Sequence, residues 1–142
     1  VFLKVAPDLE PADIDDIVAV AFAKGLAAVI VSNTTITRPV LASRHADEAG
    51  GLSGAPLADL ALQRVKDFRT ASGGKLPLVA AGGIASAGQA WQRIRAGASL
   101  VQIYSAMVYE GPGLAARIAH GLERLAGQDG FARVADAVGV GD

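Results

Sequence analysis

Four short apolar runs alternate along the chain with longer segments in which apolar residues recur at helical spacing. The runs predict strands at residues 1–5, 26–32, 76–83 and 98–105, and the longer segments predict helices at residues 8–25, 56–74, 86–97 and 111–128. The run at residues 26–32 is uninterrupted, which is typical of a strand that helices cover on both faces. Because no hairpin turn separates the runs, the alternation predicts an α/β fold of parallel βα units.

Residues with known capping preferences mark the ends of these helices. Pro11 suits the first turn of the first helix, and Gly25 suits its C-terminal end. Ser86 suits the N-cap of the third helix, and Gly97 suits its C-terminal cap. The tail, residues 129–142, predicts a small extra helix or coil. The first helix is expected to bury one face, which comprises Ile14, Ile17, Val18, Ala21 and Phe22.

The length of the chain favours part of a barrel over a whole one. A complete (β/α)₈ barrel needs about 250 residues, whereas this chain has 142. We therefore expect residues 1–142 to form the C-terminal half of a single (β/α)₈ TIM-barrel domain. The alternative is an open doubly wound sheet, although "GGIASAG" does not fit the glycine spacing of a dinucleotide site. Because Val1 already lies in an apolar run, we expect a fragment that begins in the middle of a fold.

Composition excludes several classes of function. A net charge of −1 with interspersed acids and bases offers no basic surface for nucleic acid or membrane. The chain has no cysteine, so it has neither a disulfide framework nor a thiolate metal site. His45 and His120 lack metal-ligand spacing with carboxylates, so we expect surface or packing roles and no metal site. Trp91 lies at helical spacing with Ile94 and is expected to pack in the core.

Two neighbouring strand ends carry residues that suit an anion. Gly82-Gly83 follows the third strand, and Tyr104-Ser105 ends the fourth. Glycine allows close backbone approach, and the start of the following helix offers free N–H groups. In barrels, a phosphate site commonly lies after strands seven and eight, which these strands would be in a C-terminal half. The alternative is a tight turn at Gly82-Gly83 and a helix cap at Ser105, but the pairing of two strand ends favours phosphate.

Further polar residues interrupt the apolar pattern near the other strand ends. Lys4 lies in an apolar strand, and it either faces solvent at a sheet edge or has an anionic partner such as a flavin ring. "VSNTT" places Ser32, Asn33 and Thr34 after the second strand, which suits a planar heterocycle or ordinary turn chemistry. The long irregular segment 33–55 exceeds a typical βα loop, and loops of that length are usually functional.

Five blocks of sequence together resemble one family. In order, "FLKVAPDL", "VIVSNTT", "GGLSGAPL", "LVAAGGIAS" and "AGASLVQIYSAM" are similar to the C-terminal half of dihydroorotate dehydrogenase. The match is to the class 2, quinone-dependent branch, and it covers essentially the whole chain. The resemblance implies a barrel enzyme that uses FMN to oxidise dihydroorotate to orotate in pyrimidine (UMP) biosynthesis, with a quinone as electron acceptor.

The resemblance also implies roles for particular residues. Asn33 and Thr34 would bind dihydroorotate. No catalytic base is assigned, because the family's class 2 base resembles a serine on a loop that would precede Val1. The residues that would bind FMN, the last three through the phosphate, are Lys4, Ser32, Gly54, Gly83, Tyr104 and Ser105.

The class 2 branch implies further partners and a location. Helices before Val1 would contact the membrane surface and form the quinone tunnel, at the cytoplasmic face of the bacterial inner membrane. The alternatives are a soluble, cytoplasmic class 1 relative and another FMN- or phosphate-binding barrel. A third alternative is that the chain alone binds the FMN phosphate without turnover. A half barrel also exposes strand edges, so we expect this chain alone to self-associate.

Overall fold

The computed structural model describes residues 1–141, and in these residues four parallel strands form one sheet in the order β1-β2-β3-β4. The strands are β1 (Phe2–Val5), β2 (Ala28–Val31), β3 (Leu78–Ala81) and β4 (Leu100–Gln102). The helices are α1 (Pro11–Ala23), α2 (Ala58–Ala71), α3 (Ala87–Arg95), α4 (Ser105–Glu110) and α5 (Leu114–Gln128), with short 3₁₀ turns at Ala55–Leu57 and Val134–Ala137.

The strand order distinguishes a barrel from a doubly wound sheet. A doubly wound sheet reverses its strand order at a switch point, and the four described strands run without reversal. Crossovers between parallel neighbours are right-handed, so the connecting helices α1, α2 and α3 lie on the same side of the sheet. The predicted parallel α/β fold of barrel type is therefore confirmed, and the open doubly wound alternative is wrong.

One face of the sheet is packed under helices. Side chains alternate between the two faces of a strand, so paired residues in parallel strands share a face. Helices α1, α2 and α3 cover what we call the helix-covered face. Its central residues are each 0% exposed, and they are Val29, Val31, Leu78 and Ala80.

The opposite face, which we call the open face, has no layer of helices among residues 1–141. One row of paired residues crosses this face and runs through Lys4, Ile30, Val79 and Leu100. Leu100 is 58% exposed, and Phe2, two residues before Lys4, is 53% exposed. The expectation that helices cover both faces of the second strand is therefore wrong, because Ile30 on the open face is only partly buried.

Local capping was well predicted. Helix α1 begins at Pro11, and Ser86 caps α3 by accepting a hydrogen bond from the Gln89 amide at 3.2 Å. Gly25 and Gly97 follow the last residues of their helices with positive φ angles of 60° and 118°. Within its described residues 129–141, the tail forms the short 3₁₀ turn named above, as predicted.

The face of α1 was predicted one residue too wide. Ile14, Val18 and Ala21 are buried, but Phe22 is 48% exposed. Four residues turn an α-helix by about 400°, so Phe22 lies about 40° beyond Val18, at the edge of the buried stripe. Trp91 is buried as predicted, and its Nε1 donates to Asp129 Oδ2 at 2.8 Å.

The fourth strand was predicted too long. Strand β4 ends at Gln102, and Ser105 begins α4 instead of ending the strand. The sequence pattern missed α4 because none of its six residues is buried, so it has no apolar stripe. The segment between Asn33 and Gly54 contains no helix, and its one bridge pairs Thr35 with Leu52 in antiparallel fashion.

Candidate functional site

A cavity of about 520 Å³ lies at the carboxyl ends of the four strands. Its volume falls within the range of about 300–1,000 Å³ that is usual for small-molecule sites. The strands contribute residues at their ends or just beyond them, and the segment before α2 closes another side. The lining residues are Lys4, Asn33, Thr34, Ser53, Gly54, Ala55, Leu57, Ala81, Gly82, Gly83, Ile84, Ala85, Gln89, Gln102, Ile103, Tyr104, Ser105, Ala106 and Tyr109.

Most of the residues singled out from the sequence meet in this cavity. Seven of the eight line it, and they are Lys4, Asn33, Thr34, Gly54, Gly83, Tyr104 and Ser105. Ser32 does not. It is 3% exposed, its hydroxyl donates to the Asn33 carbonyl at 3.1 Å, and its amide donates to the Ala81 carbonyl at 2.9 Å. In this structure Ser32 therefore supports the backbone behind Asn33.

One end of the cavity gathers hydrogen-bond donors from three chain segments. Within residues 1–141, the amides of Gly83 and Ser105 donate no hydrogen bond to the protein. The Ser105 hydroxyl donates to Ser53 Oγ at 3.0 Å. A Cβ on Gly54 would lie 3.8 Å from Ser105 Cβ, which shows how closely the two segments approach. Free amides beside hydroxyls are suited to a phosphate group.

Gly82 and Gly83 are also required by packing. Their φ angles are +106° and +68°, a region that disfavours side chains. A Cβ on Gly83 would lie 2.4 Å from Ala58 Cα, and one on Gly82 would lie 3.0 Å from a methyl carbon of Leu57. The turn is therefore tight for structural reasons, and the same tightness brings its backbone to the edge of the cavity.

Lys4 faces the cavity from the open face. Its Nζ donates to Gln102 Oε1 at 3.5 Å, so the pair spans the sheet from β1 to β4. Both side chains are exposed, and the lysine is thus available to an anionic group in the cavity. Sequence reasoning missed Gln102. A polar residue in the apolar run "LVQI" could have indicated it.

Asp8 anchors the long segment that follows Asn33. Its carboxylate accepts hydrogen bonds from the Thr35 hydroxyl, from the Ile36 amide at 3.1 Å and from the Thr37 hydroxyl at 3.0 Å. Burial acts to raise the pKa of Asp8, but these hydrogen bonds outweigh it and hold the pKa below its ordinary value. The segment is therefore fixed just beyond Asn33 and Thr34.

Neither histidine lies in the cavity. His45 Nδ1 is 2.8 Å from Glu48 Oε1 in the exposed long segment, and His120 Nδ1 is 2.8 Å from the Ala116 carbonyl on the exposed face of helix α5. Both are surface residues, as predicted. Residues 1–141 contain no group of three or more acidic, histidine or cysteine side chains placed to hold a metal ion. No helix in that same range is both long enough and apolar enough to cross a membrane.

A parallel α/β sheet whose strands follow in chain order, with a cavity at their carboxyl ends, is the architecture of part of a TIM barrel. Comparison with known families agrees with this class and makes it specific. The sequence model described as dihydroorotate dehydrogenase matches residues 1–125. The chain belongs to the dihydroorotate dehydrogenase family.

Individual relatives show the same relationship. The chain is 83% identical over 141 residues to "Dihydroorotate dehydrogenase (quinone)" of Sphingopyxis alaskensis, covering 99% of this chain and 40% of the relative. It is 70% identical over 139 residues to the protein of the same name from Novosphingobium aromaticivorans, covering 98% and 40%. The chain therefore spans about 40% of these relatives and corresponds to their C-terminal part.

Solved structures of the same family share the fold of this chain. Ligand-free DHODH from Eimeria tenella superposes with a TM-score of 0.94 at 43% identity, covering 98% of this chain and 39% of that one. The same protein in complex with ferulenol gives a TM-score of 0.93 at 43% identity, covering 98% and 37%.

Proposed function

We propose that the protein is an FMN-dependent dihydroorotate dehydrogenase that passes electrons to a quinone, and that this chain supplies the C-terminal half of its single barrel domain. The observation that carries the proposal is that seven residues chosen from the sequence line one cavity at the strand ends. The name shared by the relatives, which includes the word quinone, supports the choice of electron acceptor.

The donors around the cavity fit the parts of FMN. The free amides at Gly83 and Ser105 suit the doubly charged phosphate, and Tyr104, which directly precedes Ser105, lines the same cavity. The Lys4 ammonium suits the ring, where it would stabilise negative charge. Gly54 leaves room beside Ser105, because a Cβ there would already contact the serine. Bound FMN would supply the acceptor for the hydride that leaves the substrate.

Asn33 and Thr34 are the residues we assign to dihydroorotate. Their amide and hydroxyl groups can both donate to and accept from the carbonyl and N–H groups of a pyrimidine ring. Both line the cavity, and Asp8 and Ser32 fix the backbone on either side of them. Binding through two fixed neutral groups would orient the substrate against the flavin.

We assign no proton-abstracting base within this chain. Ser53 and Ser105 are the hydroxyls nearest the cavity end, and they are hydrogen-bonded to each other beside the proposed phosphate site. A serine supplied by a chain segment outside these residues is the base we expect. Segments outside these residues would also contact the membrane surface and the quinone, with the enzyme at the cytoplasmic face of the inner membrane and active in pyrimidine biosynthesis.

The test uses the whole gene product, purified and assayed for orotate formation from dihydroorotate. We expect a yellow protein that releases FMN on denaturation and reduces a soluble quinone faster than fumarate or NAD⁺. An Asn33→Ala variant should raise KM for dihydroorotate by about tenfold or more, the effect of one lost specific hydrogen bond, while FMN content is unchanged. His120→Ala, on the exposed face of α5, is the matched control.

Three results would contradict the proposal. A colourless protein would contradict the assignment of FMN as cofactor. A yellow protein that forms no orotate would favour another FMN-binding barrel. A preference for fumarate or NAD⁺ over quinones would favour the soluble class 1 branch.

A second proposal concerns the 142-residue chain by itself. Because the flavin-site residues lie in it and no base is assigned to it, the chain should bind FMN without forming orotate. Flavin fluorescence titration combined with the orotate assay tests this, and turnover by the isolated chain would contradict it.

A further inference from the structure

Arg93 is a buried cation that lies just behind the cavity. It lies in α3 and is 2% exposed, and it does not line the cavity. One guanidinium nitrogen donates to the Ala58 carbonyl at 2.5 Å and to the Gly82 carbonyl at 3.3 Å. The side chain therefore ties the start of α2 to the turn at the end of β3.

The bond to Gly82 also determines where the next amide points. The peptide between Gly82 and Gly83 is trans, since the one cis bond in the described chain is Val31-Ser32. In a trans peptide, the C=O and the following N–H point in opposite directions. Because Arg93 holds the Gly82 carbonyl from behind the turn, the Gly83 N–H points away from Arg93, to the side where Gly83 lines the cavity.

The bond to Ala58 holds a second wall of the same site. Ala58 presses against Gly83, where an added Cβ would lie 2.4 Å from the Ala58 Cα. Ala58 directly follows the 3₁₀ turn Ala55–Leu57, whose N-cap is Gly54. A guanidinium that fixes Ala58 therefore also limits movement of Gly54 relative to Gly83.

A buried guanidinium is costly when its donors are not all satisfied. Arg93 Nε has no hydrogen-bond partner among the described residues. Burial lowers the pKa of Arg93, while the Asp59 carboxylate acts to raise it. One terminal nitrogen of the rigid, planar guanidinium reaches both carbonyls, which an apolar side chain cannot do.

We propose that Arg93 is a positioning residue that aims the Gly83 amide, and with it the Gly54 turn, at the phosphate of the flavin. This inference rests on the proposed FMN site. It predicts that Arg93 affects recognition of the phosphate and leaves recognition of the flavin ring unchanged, although the side chain touches neither.

The experiment compares FMN with riboflavin, which lacks the phosphate, in the apo form of the whole gene product. The variants are Arg93→Met and Arg93→Lys, and dissociation constants are read from quenching of flavin fluorescence. Arg93→Met should weaken FMN binding at least about tenfold and change riboflavin binding by less than about twofold. Arg93→Lys, which keeps a cationic donor on a shorter and more flexible side chain, should fall between Arg93→Met and the unmodified protein.

The matched control is Arg69→Lys. Arg69 also donates from its guanidinium to a glycine carbonyl, that of Gly74, at 2.8 Å, but it lies at the other end of α2. It should leave the ratio of FMN to riboflavin affinity unchanged. If Arg93→Met does not fold, Arg93→Lys carries the same test.

The possible outcomes distinguish a failure of this inference from a failure of the proposed FMN site. If the unmodified protein binds riboflavin as tightly as FMN, the phosphate site itself is wrong. If the unmodified protein prefers FMN and both Arg93 variants keep that preference, the positioning role is wrong. Equal weakening of FMN and riboflavin would indicate a general structural role and would also overturn it.

Discussion

The two faces of the sheet are built from alternate residues of the same four strands, yet they differ in exposure and in the polar groups they carry. On the helix-covered face, Val29 and Leu78 are 0% exposed. On the open face, Leu100 is 58% exposed, and Lys4 donates to Gln102 across the sheet. The first face stabilises the unit by burying apolar surface, while the second presents the charged and amide groups that a ligand can use.

The comparison shows that successive residues of one strand serve different purposes, because they point to opposite faces of the sheet. One residue stabilises the fold, and the next is available to a ligand. Moving one residue along β1 passes from Val5, which is 7% exposed, to the exposed Lys4 beside it. At the strand ends, one residue can serve both purposes. There Gly83 packs against Ala58 on one side and lines the cavity on the other.

The largest effect should come from truncating the helix-covered face. Leu78→Ala should lower the free energy of unfolding by about 2–5 kcal/mol, because it leaves a cavity in a fully buried core. The matched change on the other face, Leu100→Ala, should cost less than about 1 kcal/mol in the 142-residue chain. Urea unfolding of both variants in dilute solution measures this, and equal losses would remove the distinction between the faces.

The turn at Gly82-Gly83 should be nearly as sensitive to substitution as the core. Gly83→Ala should lower the free energy of unfolding by about 1–3 kcal/mol, since it adds a backbone clash to an unfavourable φ, and it should also reduce FMN content. Gly130 has a φ of +82° with nothing within 4 Å of an added Cβ, so Gly130→Ala isolates the backbone strain alone. That control should cost about 1 kcal/mol and leave FMN content unchanged. Equal effects of the two substitutions would contradict the close packing at Gly83.

The third prediction is that the open face causes the isolated chain to self-associate. An exposed apolar sheet face with unpaired strand edges favours pairing with other chains. The isolated 142-residue chain should therefore form dimers or larger species in light scattering. Leu100→Lys should shift it toward monomer, whereas the exposed but distant Val140→Lys should not. A stable monomer of the unmodified chain would contradict the expectation.

The smallest effect should come from Asp8, and it should depend on pH. The pKa of Asp8 lies below its ordinary value of 3.8 in the folded chain, so its carboxylate stabilises the fold at pH values well above 3.8. That contribution should be lost as the pH falls below 3.8 toward the folded pKa. Asp8 is exposed, so Asp8→Asn should cost less than about 1 kcal/mol at neutral pH. The difference between variant and unmodified protein should vanish in acid unfolding, and a difference that grows in acid would reverse the sign argued here.

Features encoded by local sequence could be predicted. Pro11 and Ser86 mark helix starts because their chemistry acts within one turn, and the apolar runs mark strands because each is covered by helices on one face. The cavity could be predicted from strand ends, since parallel strands bring their carboxyl ends to the same edge.

Features that depend on contacts between distant segments could not. Asp8 reaches Thr35 across 27 positions, and Arg93 reaches Ala58 across 35. Ser32 was expected to contact a ligand, but its hydroxyl donates to its neighbour's carbonyl, and the direction of one hydroxyl is not encoded in residue type. Helix α4 was missed because none of its six residues is fully buried, so it leaves no buried stripe.

The chain-order arrangement of the strands has a consequence for synthesis on the ribosome. Each strand pairs with the strand made just before it, so the sheet can grow one unit at a time as the polypeptide emerges. The widest gap to close is between Ile30 and its partner Val79, because the long segment after Asn33 lies between them. The segment that begins with the proposed substrate contacts is thus also the one that delays pairing of β3 with β2 in the nascent chain.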